Sequence, residues 1–479
     1  MPDLTTKGLL SADSLRSLEE EMVGYGPRLT GNAAHDKYIA RIEKLMTLLG
    51  YEVKEDRHTF NRWEPHEWSL DYDSLGTPVK NVKCSYYPYS GFTPEEGVTA
   101  PMKYCGGKGI SLFAGSRGKI AVVAMPVFEA PVGLVFKKRR CYPESFVPPS
   151  KQGSPVVATF VIAPVLALAK AAGAKGVICV MTGVSDDNAN DQYLPFIKKY
   201  AGMPALWVNG TDGAKIIAAA KKGCKATLKL TADYIENAST RTIYAVLKGK
   251  SDKESVLINT HTDGTNAFEE NAAAGLISLA KYFAEKPLAE REKNMVFSFV
   301  TGHFQLHQFG NALNQATTKF LNAHPEFWDG KDGHWQAVAG LTLEHLGCTE
   351  WRDNADHTRF EKLNDVDPEL VYTSNEIMSD IYVKELEKRT LTRTLMLRPK
   401  NLIHFGEGQP IYKKGIPSIS LCPGPDYLCN VAPRGYIEKI NYELMYQQIE
   451  TFKNVAEVLD KKFRAELGRK QGFSWGFVF

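Results

Sequence analysis

Residues 255–283 constrain the fold more than any other stretch. Ser255-Val256-Leu257-Ile258-Asn259 is a continuous apolar, β-branched run, as in parallel strands covered on both faces. Residues 271–283, rich in alanine, leucine and isoleucine, read as a helix. Between the two lie Thr260-His261-Thr262-Asp263-Gly264 and Glu269-Glu270-Asn271. A histidine and three carboxylates therefore stand where a strand hands over to a helix. In open α/β sheets ligands bind at that place, outside the carboxyl ends of the strands. His261 and Asp263 suit a metal ligand and the acid that orients it. The same pair also serves as capping or hydrogen-bonding residues in an ordinary turn.

The chain of 479 residues is too long for one typical core, so two or three domains are expected. Apolar and charged fractions are those of a globular protein, and the net charge of +3 is spread along the chain. The one basic cluster, Lys137-Lys138-Arg139-Arg140, reads as a solvated turn, so no nucleic-acid partner is expected. The eight cysteines are scattered without a C-x-x-C pair, and residues 1–11 lack an apolar signal region. These absences point to a reduced, cytoplasmic protein. No run is long and pure enough to span a membrane; the most apolar region, 156–181, is broken by Pro164, Lys170 and Lys175.

Along the chain, 12–23 and 35–49 have helical periodicity, with a glycine- and proline-rich turn at 24–31 between them. Residues 51–63 alternate like a strand. From about 85 to 235 glycine and proline become frequent, and short apolar runs (118–123, 176–180, 204–208) alternate with small-residue helices at 162–172 and 212–221. This reads as a β-rich module inserted into a larger domain, without a His, Asp and Glu cluster of its own. The expected division is 1–84 and 236–479 for the larger domain and 85–235 for the insert, which would cover or shape a cleft. In the second half, strands at 295–300 and 338–343 end in His303 and in Glu344-His345, and Glu407 precedes a strand at 416–421. A helix-like stretch at 309–323, helices at 374–388 and 441–467, and an aromatic tail at 473–479 complete the reading. The tail either packs on the domain or meets a second subunit, which leaves a homodimer open. Side-by-side strand ends bearing histidine and carboxylates suit zinc and, less well, other first-row metals.

In these motifs the chain resembles the co-catalytic zinc aminopeptidase and glutamate carboxypeptidase superfamily. It looks most like members with an inserted protease-associated domain, a set that includes the non-catalytic transferrin receptor. Gly26-Pro27-Arg28-Leu29-Thr30-Gly31 resembles the family's N-terminal segment, and 118–233 resembles the inserted domain. The resemblance implies an α/β fold: a zinc-exopeptidase-like mixed, mostly parallel sheet flanked by helices, with a β-rich insert. It makes His261 the first metal ligand and Asp263 the acid orienting it. Glu270 stands where the family has an Asp bridging two metals, and Glu344 where it has a terminal Asp ligand. Two positions depart from the pattern. His303-Phe304 occupies the place of a Glu-Glu pair, base then ligand, and Glu407-Gly408 lies where the last histidine ligand is expected. The full two-zinc set is therefore absent. One divalent ion, zinc above others, could be held by some of His261, Glu270, Glu344, His345 and Glu407.

His303 is a candidate general base, a ligand, or a polar residue left in a lost site. His345 follows Glu344 on a strand, so the two should face opposite ways unless the strand has already ended. His307 and His404 read as structural or surface residues. Tyr427, after the last strand, is a candidate hydrogen-bond donor to substrate. Three functions remain open at this point: a metal-dependent hydrolase of a peptide, amino-acid amide or similar small amide; a lyase, cyclase or isomerase on the same scaffold; and a catalytically inactive binding protein.

Overall fold

The computed structural model describes residues 2–106, 109–161, 165–309, 314–400 and 404–471. The aromatic tail 473–479 lies outside them, as do 310–313 and 162–164. The helix expected over 309–323 is described only as Thr317–Ala323.

Strands β1 (Val53–Ser74), β2 (Lys137–Tyr142), β3 (Lys225–Leu247), β4 (Glu254–His261), β5 (Asn294–Val300), β6 (Gln336–Leu343), β7 (Glu369–Thr373), β8 (Thr394–Arg398) and β9 (Ser418–Leu421) build the sheet that carries the candidate site. Its order is β3-β5-β4-β6-β9-β7-β8-β2. The four central strands, β5, β4, β6 and β9, run parallel. β3, β7 and β2 pair antiparallel with β5, β9 and β8. Every residue of β5 and β9, and all but the first of β4 and β6, is buried. That is why these segments read as unbroken apolar runs rather than alternating ones. Because the central strands are parallel and in register, His261 at the end of β4 lies beside Val300 at the end of β5. Their carboxyl ends share one rim.

Helices α1 (Ala12–Gly24), α2 (Ala33–Leu48), α3 (Ala272–Ala284) and α4 (Tyr442–Asp460) cover one face. α1, α2 and α4 start at Ser11, Asn32 and Asn441, whose side-chain oxygens accept from backbone N–H groups of the first turn. α3 is buried on nearly every residue, pressed on β4 and overlaid by α1, α2 and α4. A helix that is apolar all round can only be stable in that position.

β1 and β3 form one antiparallel ribbon, from Val53 against Ala245 to Tyr72 against Ala226. The ribbon leads from the main sheet into a second set of strands. There 98–104, 120–126, 176–182 and 205–208 run parallel to one another. They enclose their own core around Phe113, Val123, Cys179 and Trp207. One excursion leaves this region: β2 pairs with β8 at the far edge of the main sheet. Lys137-Lys138-Arg139-Arg140 is therefore a strand and not the turn expected from its charge. Arg139 and Arg140 are paired with Glu376, and Arg140 also with Asp380. The polar connection after Gly347 contains a hairpin, Glu350–Asp353 with Phe360–Asn364. Among the described residues no helix is long and apolar enough to cross a membrane.

Candidate metal centre

Four side chains converge at the rim of β4 and β6. His261 ends β4 and is fully buried. Its Nδ1 donates to the Asp263 backbone carbonyl at 2.9 Å, which leaves the Nε2 lone pair facing inward. Among the described residues that Nε2 has no hydrogen-bond partner. It lies 3.9 Å from Glu269 Oε2 and 4.0 Å from Glu344 Oε2. His345 Nε2 is 3.1 Å from Glu269 Oε2 and 3.9 Å from Glu344 Oε2. Burial lowers the His261 pKa well below its ordinary value, with His303 and His345 adding to the effect. The ring is thus neutral, as a ligand must be. Burial raises the pKa of Glu344, against the pull of His345 and His303.

Backbone geometry fixes each of these groups. β6 ends at Leu343, and His345 has φ +54. Strand alternation no longer applies, so Glu344 and His345 face the same point. His345 Nδ1 donates to the Pro423 carbonyl at 2.6 Å. The Glu407 N–H donates to Glu344 Oε1. Gly406, at φ +81, is where this is possible: a Cβ there would lie 2.6 Å from Glu344 Oε2. Gly264 has the same function under the other carboxylates, since its Cβ would meet Glu270 Oε2 and the Glu269 Cβ.

Beside this group the His303 ring stacks on His261, with centroids 4.1 Å apart and planes 14° apart. Its Nδ1 donates to Glu407 Oε1 at 2.6 Å. Glu407 is held in turn by the backbone N–H groups of Ala316 and Thr317. Burial alone would lower the His303 pKa. The bond and charge of Glu407, with Glu269 and Glu344, outweigh it and raise the pKa to about 10.

The cluster faces a cavity of about 1060 Å³, mouth included. Glu269, His303, Glu344 and His345 form its polar end. Val132, Val135, Phe136, Phe196, Leu370 and Phe405 belong to its apolar wall. Residues 130–157, on either side of β2, supply much of that wall, so the excursion around β2 roofs the site.

A bonding test supports a cation at this point. Four-coordinate zinc with ligand bonds of roughly 2.0–2.2 Å separates its ligands by about 3.3–3.6 Å. His261 Nε2 stands 3.9 and 4.0 Å from Glu269 and Glu344, a few tenths of an ångström beyond that spacing. A buried, neutral imidazole nitrogen without a partner, aimed at two carboxylates, is the donor set a cation fits. Among the described residues, the groups close enough to share an ion are His261 with Glu269 and His303, and His261 with Glu344 and His345.

No protein-family model and no curated protein matches the chain. Solved structures do. A zinc aminopeptidase from Bacillus subtilis aligns over 93% of this chain and 94% of its own, with TM-score 0.60 and 19% identity. An aminopeptidase from Aneurinibacillus aligns over 97% and 95%, with TM-score 0.57 and 16% identity. A peptidase precursor from Shewanella amazonensis aligns over 94% and 96%, with TM-score 0.62 and 17% identity. The chain has the fold of the zinc aminopeptidases.

Within this zinc-aminopeptidase fold the expected site residues are distributed unevenly. His261 and Glu344 meet in the cluster, and His303 lies against it. Glu270 does not: its carboxylate is paired with Arg28 on the far side of the loop, and burial raises its pKa to about 7 against the pull of Arg28. Glu269, its neighbour, takes the inward position. The Asp263 carboxylate is not the partner of the His261 ring. It accepts from the Thr30 hydroxyl and from the N–H groups of Gly302 and Phe304, and only the Asp263 carbonyl reaches His261. Glu407 sits behind His303, away from the ligand atoms. Tyr427 is buried and its hydroxyl donates to the Thr349 carbonyl at 2.7 Å, so it is not directed at the cavity. His404 is buried against Tyr372, and His307 is half-buried.

Proposed function

We propose that this chain is a metal-dependent hydrolase acting on a peptide, an amino-acid amide or a similar small amide, with one divalent ion, zinc above others. The orphaned Nε2 of buried His261, facing Glu269 and Glu344, is the observation that carries the reading. His261, the member common to both groups, would hold the ion with the carboxylate of each, Glu269 and Glu344. His345, bonded to Glu269, would orient that carboxylate. A cation bound there supplies Lewis acidity and a water of lowered pKa.

The chain's own groups account for the rest. His303 takes a proton from the attacking water at Nε2 and passes it to the leaving nitrogen. Glu407 holds the Nδ1–H, fixes the tautomer and balances the imidazolium charge. That pairing raises the His303 pKa, and a positive charge held by His261 and the carboxylates beside it would lower it again, toward the range where the ring accepts a proton. The apolar wall excludes water and suits an apolar group next to the bond that is cut.

The test is a panel of amino-acid amides and short peptides with zinc-loaded protein in water enriched in oxygen-18. Hydrolysis with label in the new carboxylate is expected. His303→Ala should reduce kcat by at least about 100-fold. Product without label would indicate elimination, cyclisation or isomerisation instead. No turnover of any amide would contradict the hydrolase reading.

A further inference from the structure

Two of the buried cysteines touch the carboxylates of the candidate centre. Cys429 Sγ lies 3.2 Å from Glu269 Oε1, the oxygen facing away from His345. Cys422 Sγ lies 3.5 Å from Glu344 Oε2. Both residues line the cavity and both thiols are free. Neither is placed by chance packing. Cys422 follows β9, and its N–H donates to the Leu370 carbonyl on the adjacent strand β7 at 2.9 Å. Cys429 lies in a loop tied to the loop that carries Glu269. The Asn266 amide donates to the carbonyls of Tyr427, Leu428 and Asn430, at 3.0, 2.7 and 3.1 Å. The Cys429 carbonyl accepts from the Tyr193 N–H at 2.8 Å.

A glutamate has one more methylene than an aspartate and more rotamers to lose. Held only by an ion, it swings. Glu344 Oε1 is fixed by the Glu407 N–H, but among the described residues Glu269 Oε1 has no backbone donor, and its partner is the Cys429 thiol. Each sulfur lies against a carboxylate oxygen, which accepts, so the S–H is placed as the donor.

We propose that Cys429 and Cys422 are positioning residues, which hold Glu269 and Glu344 by S–H···O bonds in the orientation that binds the metal ion. This rests on the metal centre of the preceding section and adds to it a pair of groups outside the coordinating atoms.

The experiment has two readouts. On the full chain without metal, infrared spectra of wild type, Cys429→Ala and Cys422→Ala assign the two S–H stretching bands by difference. Both should lie at lower frequency than the band of buried Cys179, and Glu269→Gln should move the Cys429 band upward. Zinc affinity is then read by competition with a chromophoric chelator, with the cobalt-substituted absorption spectrum beside it. Each Ala variant should bind zinc at least about 10-fold more weakly, and Cys429→Ser and Cys422→Ser, which keep a donor, should recover most of the loss. The cobalt bands should shift in the Ala variants and return in the Ser variants. S–H bands at the frequency of the Cys179 thiol, or Ala variants that bind zinc like wild type, would overturn the proposal. A wild type that takes up neither zinc nor cobalt would contradict the metal centre itself. The S–H bands, measured without metal, separate that failure from a failure of the thiol contacts.

Discussion

At the scale of single residues, Glu269 and Glu270 are the sharpest contrast. They are chemically identical and adjacent, yet one faces His261 and His345 and the other pairs with Arg28. Glu269→Gln should cost at least about 10-fold in zinc affinity and abolish turnover, since a carboxamide is a poor ligand for zinc. Glu270→Gln should keep zinc within about threefold and act mainly on stability, because it leaves Arg28 buried beside a neutral group. Equal effects on zinc affinity in equilibrium dialysis would contradict the assignment. The placement of His261 and Glu344 at strand ends was legible from the sequence, since strand ends advertise themselves. The exchange of Glu270 for Glu269 was not, because 264–271 is irregular backbone and gives no periodicity to say which carboxylate turns inward. For His345 the exception applies: alternation predicts opposite faces only while a strand lasts, and this one ends at Leu343. A second residue-scale consequence concerns pH. Burial pushes the Asp367 pKa up to about 7, against the pull of Arg352 and with the help of Glu350 and Asp426. Between its ordinary value near 3.8 and about 7 the folded chain holds a proton that the unfolded chain has released. The stability this contributes is complete below about pH 4 and is lost as the pH rises through 7. Wild type should therefore lose more of its urea midpoint between about pH 5 and pH 8 than Asp367→Asn does. Equal losses would contradict the sign.

At the scale of elements, the centre depends on the turns that follow its strands. Gly406 precedes Glu407 in a left-handed turn, and the space a Cβ would need is filled by the Glu344 carboxylate and the Cys422 sulfur. Gly406→Ala should cost about 1–3 kcal/mol of stability, from backbone strain. It should also weaken zinc binding by at least about 10-fold, from displacement of Glu344. Chemical denaturation and chelator competition measure the two, and a variant with normal zinc affinity would show that Glu344 is not a ligand. The order of strands and helices was readable, because buried strands are continuous apolar runs and α1, α2 and α4 start at polar caps. The place of β2 was not. Its partner β8 is more than 250 residues away in sequence, and four basic side chains conceal a strand whose arginines are neutralised from α-helical carboxylates.

At the scale of the molecule, one sheet rim, one ribbon and one roof account for the site. The rim gathers ligands from strands distant in sequence. The β1–β3 ribbon joins the main sheet to the second set of strands, and the excursion around β2 returns from there to close the cavity. The expected architecture, a mixed sheet flanked by helices, is the one found, and it is similar in fold to two solved aminopeptidases and a peptidase precursor over nearly their whole length. The chemistry is where the chain departs from a simple reading of its resemblance. A His–Glu pair, His303 with Glu407, stands next to the candidate metal centre. The measurement that tests this account most directly is metal content by plasma mass spectrometry, on protein purified without a His-tag or chelator, wild type beside His261→Ala and Glu344→Ala. The account predicts about one equivalent of a transition metal in wild type and none in either variant. Wild type without metal after incubation with zinc, manganese and calcium, or variants that retain the full equivalent, would contradict it.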